Sequence, residues 1–498
     1  MTARYRDALI SLLAGAILPL AFAPFHLAPL ALISPAILFW LWRDTDRKES
    51  ALLGFLYGLG VFAVGVSWVY VAIHVFGKMA PALATASTFL FVLVLAVFYA
   101  ALGYLQAYFR STPVFLRYVV VLPALWVLLE WLRGWILTGF PWMQLGYSQL
   151  HMPIAKIAPW LGVYGVSYLV VLTVGLLVWA AMRRQKKIYL VSGFAVLFTW
   201  MFPLALSLWQ WTVPVDQPIK VALLQGNVPL TKKWHPTYRE KIIEQYMEMS
   251  RSARGADLVI WPEAAMPAYL QYVDEAVIRQ IQNEARLYKT DFLFGVLELD
   301  QSYNGVYYNS VASIGSHNSI YRKTHLVPFG EYPPLDPLFR WVMQAMNIPM
   351  SNFSAGTKMQ RPMMVAGQPV AVSVCYENLF GAEQLRLLPQ ATLLVNVSEN
   401  AWYGDSFAPH QLVQMAQMRS LETGRPGIRV DNAGPSVVID ASGHIRARSE
   451  QFRQMVLKAT LQPMAGATPY VRWGNSAIIG WLLIVLVSGL RLRRHFSA

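Results

Sequence analysis

From residue 8 to residue 210 the chain is a series of long apolar stretches separated by short polar breaks. No other feature limits the fold so strongly. In hydrocarbon every backbone N–H and C=O must be satisfied within the segment itself, so such stretches become helices. A crossing takes about 20 predominantly apolar residues. The candidate spans are 8–24, 27–42, 52–76, 82–108, 114–137, 154–182 and 188–209, with an eighth at 474–490, inside "NSAIIGWLLIVLVSGL" and its flank. Pro24 and the short gap after it leave the first two open to being one broken helix. The mean hydropathy of +0.39 and the 56% share of hydrophobic residues exceed those of an ordinary soluble domain. Arg4 and Arg6 precede the first stretch, but no small-residue cleavage site clearly follows, so a cleavable leader is not expected.

The formal net charge of +14 raises nucleic acid as a partner, and the placement of the charge argues against it. Arg4 and Arg6 lie before the first span, and Arg43, Arg47 and Lys48 after the second. Arg110 and Arg117 lie between or flank the fourth and fifth, Arg183, Arg184, Lys186 and Lys187 follow the sixth, and Arg491, Arg493 and Arg494 end the chain. The alternate loops "APFH", "FGKMA" and "LTGFPWMQLGYSQLHM" carry only Lys78 between them. This is the positive-inside pattern with both termini cytoplasmic. An odd number of spans then puts the large polar region across the membrane, which for a bacterial inner membrane is the periplasm. No nucleic-acid motif accompanies the charge.

The domains read as 1–213, a membrane domain; 214–470, a mixed soluble domain; and 471–498, a last span with a basic tail. Short β-rich runs recur after residue 219: "IKVALLQGNV", "ADLVIWPEAA", "DFLFGVLEL", "VYYNSVASI", "PVAVSVCYEN", "ATLLVNVSEN", "PGIRVDNAG" and "PSVVIDASGHIRAR". Helical spacing recurs in 236–254, 274–288 and 407–423, and "DASGHI" has the residues of a hairpin turn. Strands alternating with helices predict a layered α/β domain.

The informative polar residues end apolar strands. Glu263 closes "DLVIWPE", Lys323 follows the strand in "NSIYRKTHLVPFGEYPP", and Cys375, the only cysteine of the chain, closes "VAVSVCYE". Sites in α/β sheets form at strand ends. A lone cysteine is commonly a small buried hydrophobe, and one charged residue at a strand end is commonly a solvated loop residue. Three with complementary chemistry are more telling.

"WPEAA", "YRKTHLVPFGEY" and "CYE" together resemble the Glu, Lys and Cys motifs of the carbon–nitrogen hydrolase, or nitrilase, superfamily. With the apolar spans around them, and with "TGFPWMQLGYSQ", "GVYGVSYL", "QGNVP" and "SLETGRP", nearly the full chain resembles the apolipoprotein N-acyltransferase family. The resemblance implies a polytopic helical membrane domain of about eight spans carrying a nitrilase-like αββα sandwich. It implies Glu263 as general base and acid, Lys323 as oxyanion stabiliser and Cys375 as the nucleophile that carries a thioester. A free thiol has a pKa of about 8.5, so a base and a cation beside it serve that chemistry. The implied donor is a phospholipid, with phosphatidylethanolamine cleaved at its sn-1 ester. The implied acceptor is the α-amino group of an S-diacylglyceryl cysteine at an apolipoprotein N-terminus.

The resemblance also marks Glu331 as a second glutamate, Tyr376 and Glu377 as neighbours of the nucleophile, and Trp234 as an aromatic over the pocket. "SENAWYGDS" departs from the family pattern, which more usually reads Ser-Asn-Asp before Ala-Trp; here Glu399 and Asn400 stand in those places. Trp402 and Tyr403 line an acyl site or simply anchor the loop. Residues 340–353, with Trp341, Met343, Met346, Met350 and Phe353, either dip into the membrane interface or pack as a core helix. Trp142 and Tyr147 lie in an outer loop, where an aromatic belt is expected. Glu130 and Arg133, three apart within a span, hold a head group, brace the membrane part or pair with each other.

Rival readings are a membrane-anchored amidase, a scaffold or transporter with a dead enzymatic domain, and a Cys–His protease using His317, His325 or His410. The nine histidines are scattered without ligand spacing, so neither metal nor cofactor is expected. A monomer is expected.

Overall fold

The computed structural model describes residues 3–300, 305–334 and 352–497. The chain forms two units, one of Met1–Tyr70, Ala80–Gln210 and Arg472–Ala498, the other of Val71–Met79 and Trp211–Val471.

The first unit is helical. Among the described residues, five of its helices are long and apolar enough to cross a membrane: Arg47–Gly65, Pro81–Ala107, Pro153–Arg183, Lys186–Leu206 and Ser476–Arg494. The other three expected spans are interrupted. Residues 8–24 are divided between the helix Ala3–Ile17 and a 3-10 turn Leu18–Ala21, and 27–42 hold the shorter helix Leu30–Leu41. Residues 114–137 divide into a π-helical turn, Leu116–Val121, and the α-helix Leu122–Arg133. Pro19, Pro29 and Pro123 stand at these junctions, where a missing N–H and a fixed φ do least harm. Helices approach closely: a Cβ on Gly54 would overlap the Tyr99 carbonyl oxygen. Trp142 and Tyr147 do not form an exposed belt. Both are buried, and Trp142 packs against Trp68 and Phe140.

The second unit is a mixed α/β sheet domain. Its strands are β1 (Thr212–Pro214), β2 (Ile219–Gln225), β3 (Leu258–Ile260), β4 (Met266–Tyr269), β5 (Asp291–Leu299), β6 (Tyr307–Ile314), β7 (Ser319–Arg322) and β8 (Met363–Val365). They continue with β9 (Gln368–Val374), β10 (Leu393–Ser398), β11 (Gly427–Asp431), β12 (Val437–Ile439), β13 (Ile445–Arg448), β14 (Met455–Leu461) and β15 (Met464–Gly466). One sheet runs β14-β2-β3-β5-β6-β7 with β4 on β5, the other β13-β12-β11-β10-β9-β8, and β1 pairs with β15. β2, β3 and β5 are parallel neighbours, as are β9, β10 and β11.

Strand periodicity sorts the side chains. Val221, Leu223, Ile260 and Leu293 of the first sheet share one core with Val372, Val374, Val395 and Val397 of the second. The alternate residues Ala222, Leu224, Phe292 and Phe294 pack instead with Ile242 and Tyr246 of the helix Arg239–Ser252 and with Ile281 of the helix Glu275–Tyr288. Val413 and Ala416 of the helix Ala408–Thr423 pack on Val437 and Ile439. Central strands buried on both faces read as unbroken apolar runs, as "VALL" and "FLFGVL" do.

Candidate active site

Cys375 is the first residue after β9 and opens the 3-10 turn Cys375–Leu379. Its φ is 49°, in the left-handed region that a residue with a Cβ seldom adopts. That backbone turns the thiol off the strand direction at the point where the pleat ends. Asn396 on β10 holds the Cys375 carbonyl at 3.3 Å.

Glu263 stands just beyond β3, in the Trp-Pro-Glu turn. β5 passes so close that a Cβ on Gly295 would overlap Pro262 O and Ala264 N, so the glycine is what lets this turn sit on the sheet. Lys323 follows β7, and its N–H donates to Asn309 O on β6 at 2.9 Å. Its ammonium donates to Glu331 Oε1 at 2.8 Å and lies 3.8 Å from Glu263 Oε1.

Asn309, which the sequence did not single out, ties the carboxylates together. Its Nδ2 donates to Glu263 Oε1 at 2.8 Å and to Glu331 Oε1 at 3.2 Å. Glu263 Oε2 is buried and has no hydrogen-bond partner among the described residues. One carboxylate oxygen is thus anchored and the other is left open to take a proton.

The electrostatics fit proton transfer. Burial raises the Glu263 carboxyl above the usual carboxylate range, and the Lys323 charge offsets this only in part. Burial, then the Glu263 carboxylate, pushes the Cys375 thiol up, against the pull of Lys323 and Arg429. Burial disfavours the Lys323 ammonium, but Glu331 and Glu263 outweigh it and hold the ammonium above the ordinary lysine value. The resting thiol is therefore neutral, and the lysine stays charged.

Glu377 joins two strand ends. It accepts from Tyr321 Oη at 3.0 Å, Thr324 N at 2.6 Å, Thr324 Oγ1 at 2.8 Å, His325 N at 3.1 Å and Val374 N at 2.7 Å. The residues flanking Lys323 and Cys375 hang on one carboxylate. Glu377→Gln turns an amide N–H toward donors and orphans at least one of them. Each such group costs about 1–3 kcal/mol, and a slight misplacement of reacting groups costs roughly 10²-fold in rate. The expected result is a lower melting temperature together with a loss of activity of that order. An unchanged rate in a folded variant would show that the clamp does not position the site.

A second missed residue is Lys233. Its buried ammonium donates to Glu263 O at 2.8 Å and forms an ion pair with Glu399. Asn432 Nδ2 and Ala401 N also donate to Glu399, at 3.1 and 3.2 Å.

Tyr376 is buried against His325 and Phe380. Trp234, half-buried, directly follows Lys233. Trp402 meets Phe76 edge-on, with ring centres 6.3 Å apart, and Tyr403 is near enough for a charge on Cys375 to act on its hydroxyl. His325 stacks on Phe380 and pairs with Glu383 at 3.1 Å, while His410 meets Arg448 at 3.0 Å and His317 lies in the exposed turn before β7. The side-chain partners of these three histidines are Ser316, Glu383 and Arg448.

Of the segment 340–353, Trp341, Met343, Met346 and Met350 lie outside the described residues. Phe353 packs edge-on against Tyr307. Glu130 and Arg133 belong to the helical unit and do not pair with each other. Glu130 accepts from Trp126 Nε1 at 2.9 Å and Leu145 N at 3.0 Å; Arg133 donates to the carbonyls of Phe140 and Trp142. Both brace the segment that follows their helix.

Residues 14–176 match the family model described as the apolipoprotein N-acyltransferase N-terminal domain, and residues 220–470 match that of carbon-nitrogen hydrolase. The apolipoprotein N-acyltransferase of Methylococcus capsulatus is 42% identical over 493 residues, covering 98% of this chain and 97% of its own. That of Nitrosomonas europaea is 41% identical over 94% of each chain. That of Photobacterium profundum is 38% identical over 98% of this chain and 95% of its own.

Proposed function

This chain belongs to the apolipoprotein N-acyltransferase family, and from that premise we propose that it moves an acyl chain from a phospholipid through Cys375 to the α-amino group of an S-diacylglyceryl apolipoprotein. The donor on this reading is phosphatidylethanolamine, cleaved at sn-1. The chain crosses the bacterial inner membrane eight times, with both termini cytoplasmic and 214–470 a periplasmic αββα sandwich.

Glu263 removes the Cys375 proton as the sulfur attacks the ester carbonyl carbon. The oxyanion forms beside Lys323 and the Tyr376 N–H. The ester C–O bond breaks, Glu263 returns the proton to the departing hydroxyl oxygen, and lysophospholipid leaves a thioester behind. The acceptor amine then attacks the thioester carbonyl carbon. Glu263 takes an amine proton, the C–S bond breaks, and the proton passes to the sulfur. The net exchange is ester plus amine to amide plus alcohol, with ping-pong kinetics.

Glu331 holds Lys323, and Glu377 sets both strand ends. Trp234, Tyr376, Trp402 and Tyr403 line the acyl and acceptor pocket, and Glu130 and Arg133 stiffen the membrane part. The observation that carries this reading is the open, buried oxygen of Glu263 beside a charged lysine, in a site whose one thiol stands on a left-handed turn.

The test uses detergent-purified protein, acyl-labelled phosphatidylethanolamine and no acceptor. A hydroxylamine-labile acyl mass on the Cys375 peptide is expected, absent from Cys375→Ala. No label in folded protein, with hydrolysis of small amides instead, would move the function to an amidase.

A further inference from the structure

The basic loops do more than mark one face of the membrane. Within the helical unit, three of them meet around a cleft of about 500 Å³. Arg43 and Asp44 follow the helix Leu30–Leu41, Arg110 and Arg117 lie between Pro81–Ala107 and Leu122–Arg133, and Arg184 follows Pro153–Arg183.

The positive-inside rule accounts for charge on this face. It does not account for Arg117, which is only 4% exposed. Its guanidinium donates to Gln106 Oε1 at 2.8 Å, Trp42 O at 2.7 Å and Arg43 O at 3.3 Å, all of them neutral acceptors. Among the described residues no carboxylate forms an ion pair with Arg110, Arg117 or Arg184. The one acid lining the cleft, Asp44, is held by Arg43 at 2.8 Å. Four guanidiniums thus face one carboxylate. A buried charge is ordinarily paired, and this cluster keeps an uncompensated positive charge.

The forks are also held in place. Arg43 lies over the Trp40 ring at 4.7 Å and Arg117 over the Tyr118 ring at 5.0 Å. Planar, fixed guanidinium forks match the oxygens of a phosphate. Basic pockets between spans on this side of a membrane meet the head groups of anionic lipids.

We propose that this cleft binds a phosphate anion, the chemistry shared by the head group of an anionic phospholipid and by free phosphate. The site is separate from the acyl-transfer chemistry and stands whether or not that reading holds.

Full-length protein in a non-ionic detergent is titrated in three arms: dioleoyl phosphatidylglycerol, dioleoyl phosphatidylcholine, and inorganic phosphate. Bound lipid is read by native mass spectrometry and phosphate by calorimetry. The variant is Arg110→Gln/Arg184→Gln, because both residues are exposed. Arg117→Gln is the second variant, with its melting temperature recorded.

Phosphatidylglycerol is expected to bind more tightly than phosphatidylcholine. Each rim arginine removed is expected to weaken phosphatidylglycerol roughly fivefold, and so roughly 25-fold in the double variant. Binding of inorganic phosphate alone, lost in the same variant, would identify free phosphate as the source. Phosphatidylglycerol retained equally by wild type and double variant, or neither lipid preference nor phosphate binding, would overturn the site.

Discussion

Glu263→Gln is expected to leave the protein folded and to slow acyl-Cys375 formation by about 10²–10⁴-fold, the range that a positioned general base supplies. Glutamine has the shape to keep the Asn309 contact, and Glu331 still holds Lys323 at 2.8 Å. What is lost is the open oxygen that accepts the thiol proton. The thiol cannot compensate readily, because burial raises its pKa even after the Glu263 charge is gone. The pH profile separates loss of a base from loss of structure. On the proposed mechanism, acylation in wild type needs Glu263 deprotonated. Its pKa is raised by burial, so the rate climbs as pH rises through a value above the ordinary glutamate figure of about 4.3 and then levels. The variant lacks that limb. Its residual rate rises only at higher pH, as the thiol itself ionises with help from Lys323 and Arg429. Single-turnover acylation across pH, with the intact mass of the acyl-enzyme as readout, distinguishes the two. A variant whose profile keeps the wild-type limb would remove Glu263 from the role of base.

How far this site could be read beforehand depends on the kind of signal. Apolar runs ending in a polar residue survive as sequence, so β3, β7 and β9 and the residues at their ends were legible, and Glu331 and Glu377 followed from the motifs around them. Pairings made at long range leave no such trace. β14 lies against β2, with Met455 opposite Gln225, and nothing local in "QMVLKATL" says so. Lys232 and Lys233 are identical letters side by side, yet Lys232 lies over the Tyr238 ring and Lys233 is buried under the Trp-Pro-Glu turn. Asn309 is one polar letter in "YYNS", and only the sheet puts it on the side facing two carboxylates. Glu130 and Arg133 show the opposite failure. Their spacing on one helix face fits a pair, but Arg133 is taken by carbonyls of the following segment, and Glu130 by Leu145 N and the Trp126 indole. A buried charged group can be held by backbone dipoles as well as by side chains, and sequence spacing ranks only the side chains. The segment Val71–Met79 clusters with the sheet unit although its composition continues a span.

The buried ion pair of Lys233 and Glu399 gives the other large effect, and a double-mutant cycle divides its parts. Lys233→Met leaves the Glu399 carboxylate buried without its cation, a change that costs about 3–5 kcal/mol where one member of a buried pair is removed. Burial already raises the Glu399 pKa against the opposing pull of Lys233, so in Lys233→Met it rises further. The folded state then binds a proton more tightly than the unfolded chain. Stability of the variant falls as pH rises from about 4.3, the unfolded value, up to the folded pKa, and is least impaired below that window. Adding Glu399→Leu removes the stranded charge and returns much of the lost stability, since an apolar pair of similar volume is often neutral relative to a buried ion pair. Activity should not return with it. Lys233 also donates to the main-chain oxygen of Glu263, and neither Met nor Leu replaces that bond. The double variant is therefore expected to melt near wild type while acylating Cys375 slowly, with the lost rate in kcat. Melting temperature at several pH values and single-turnover acylation on the four proteins of the cycle read both quantities. If stability and rate recover together, the pair serves only to pack the loop; if the rate alone stays low, the lysine positions the base, and Glu399 is there to neutralise it.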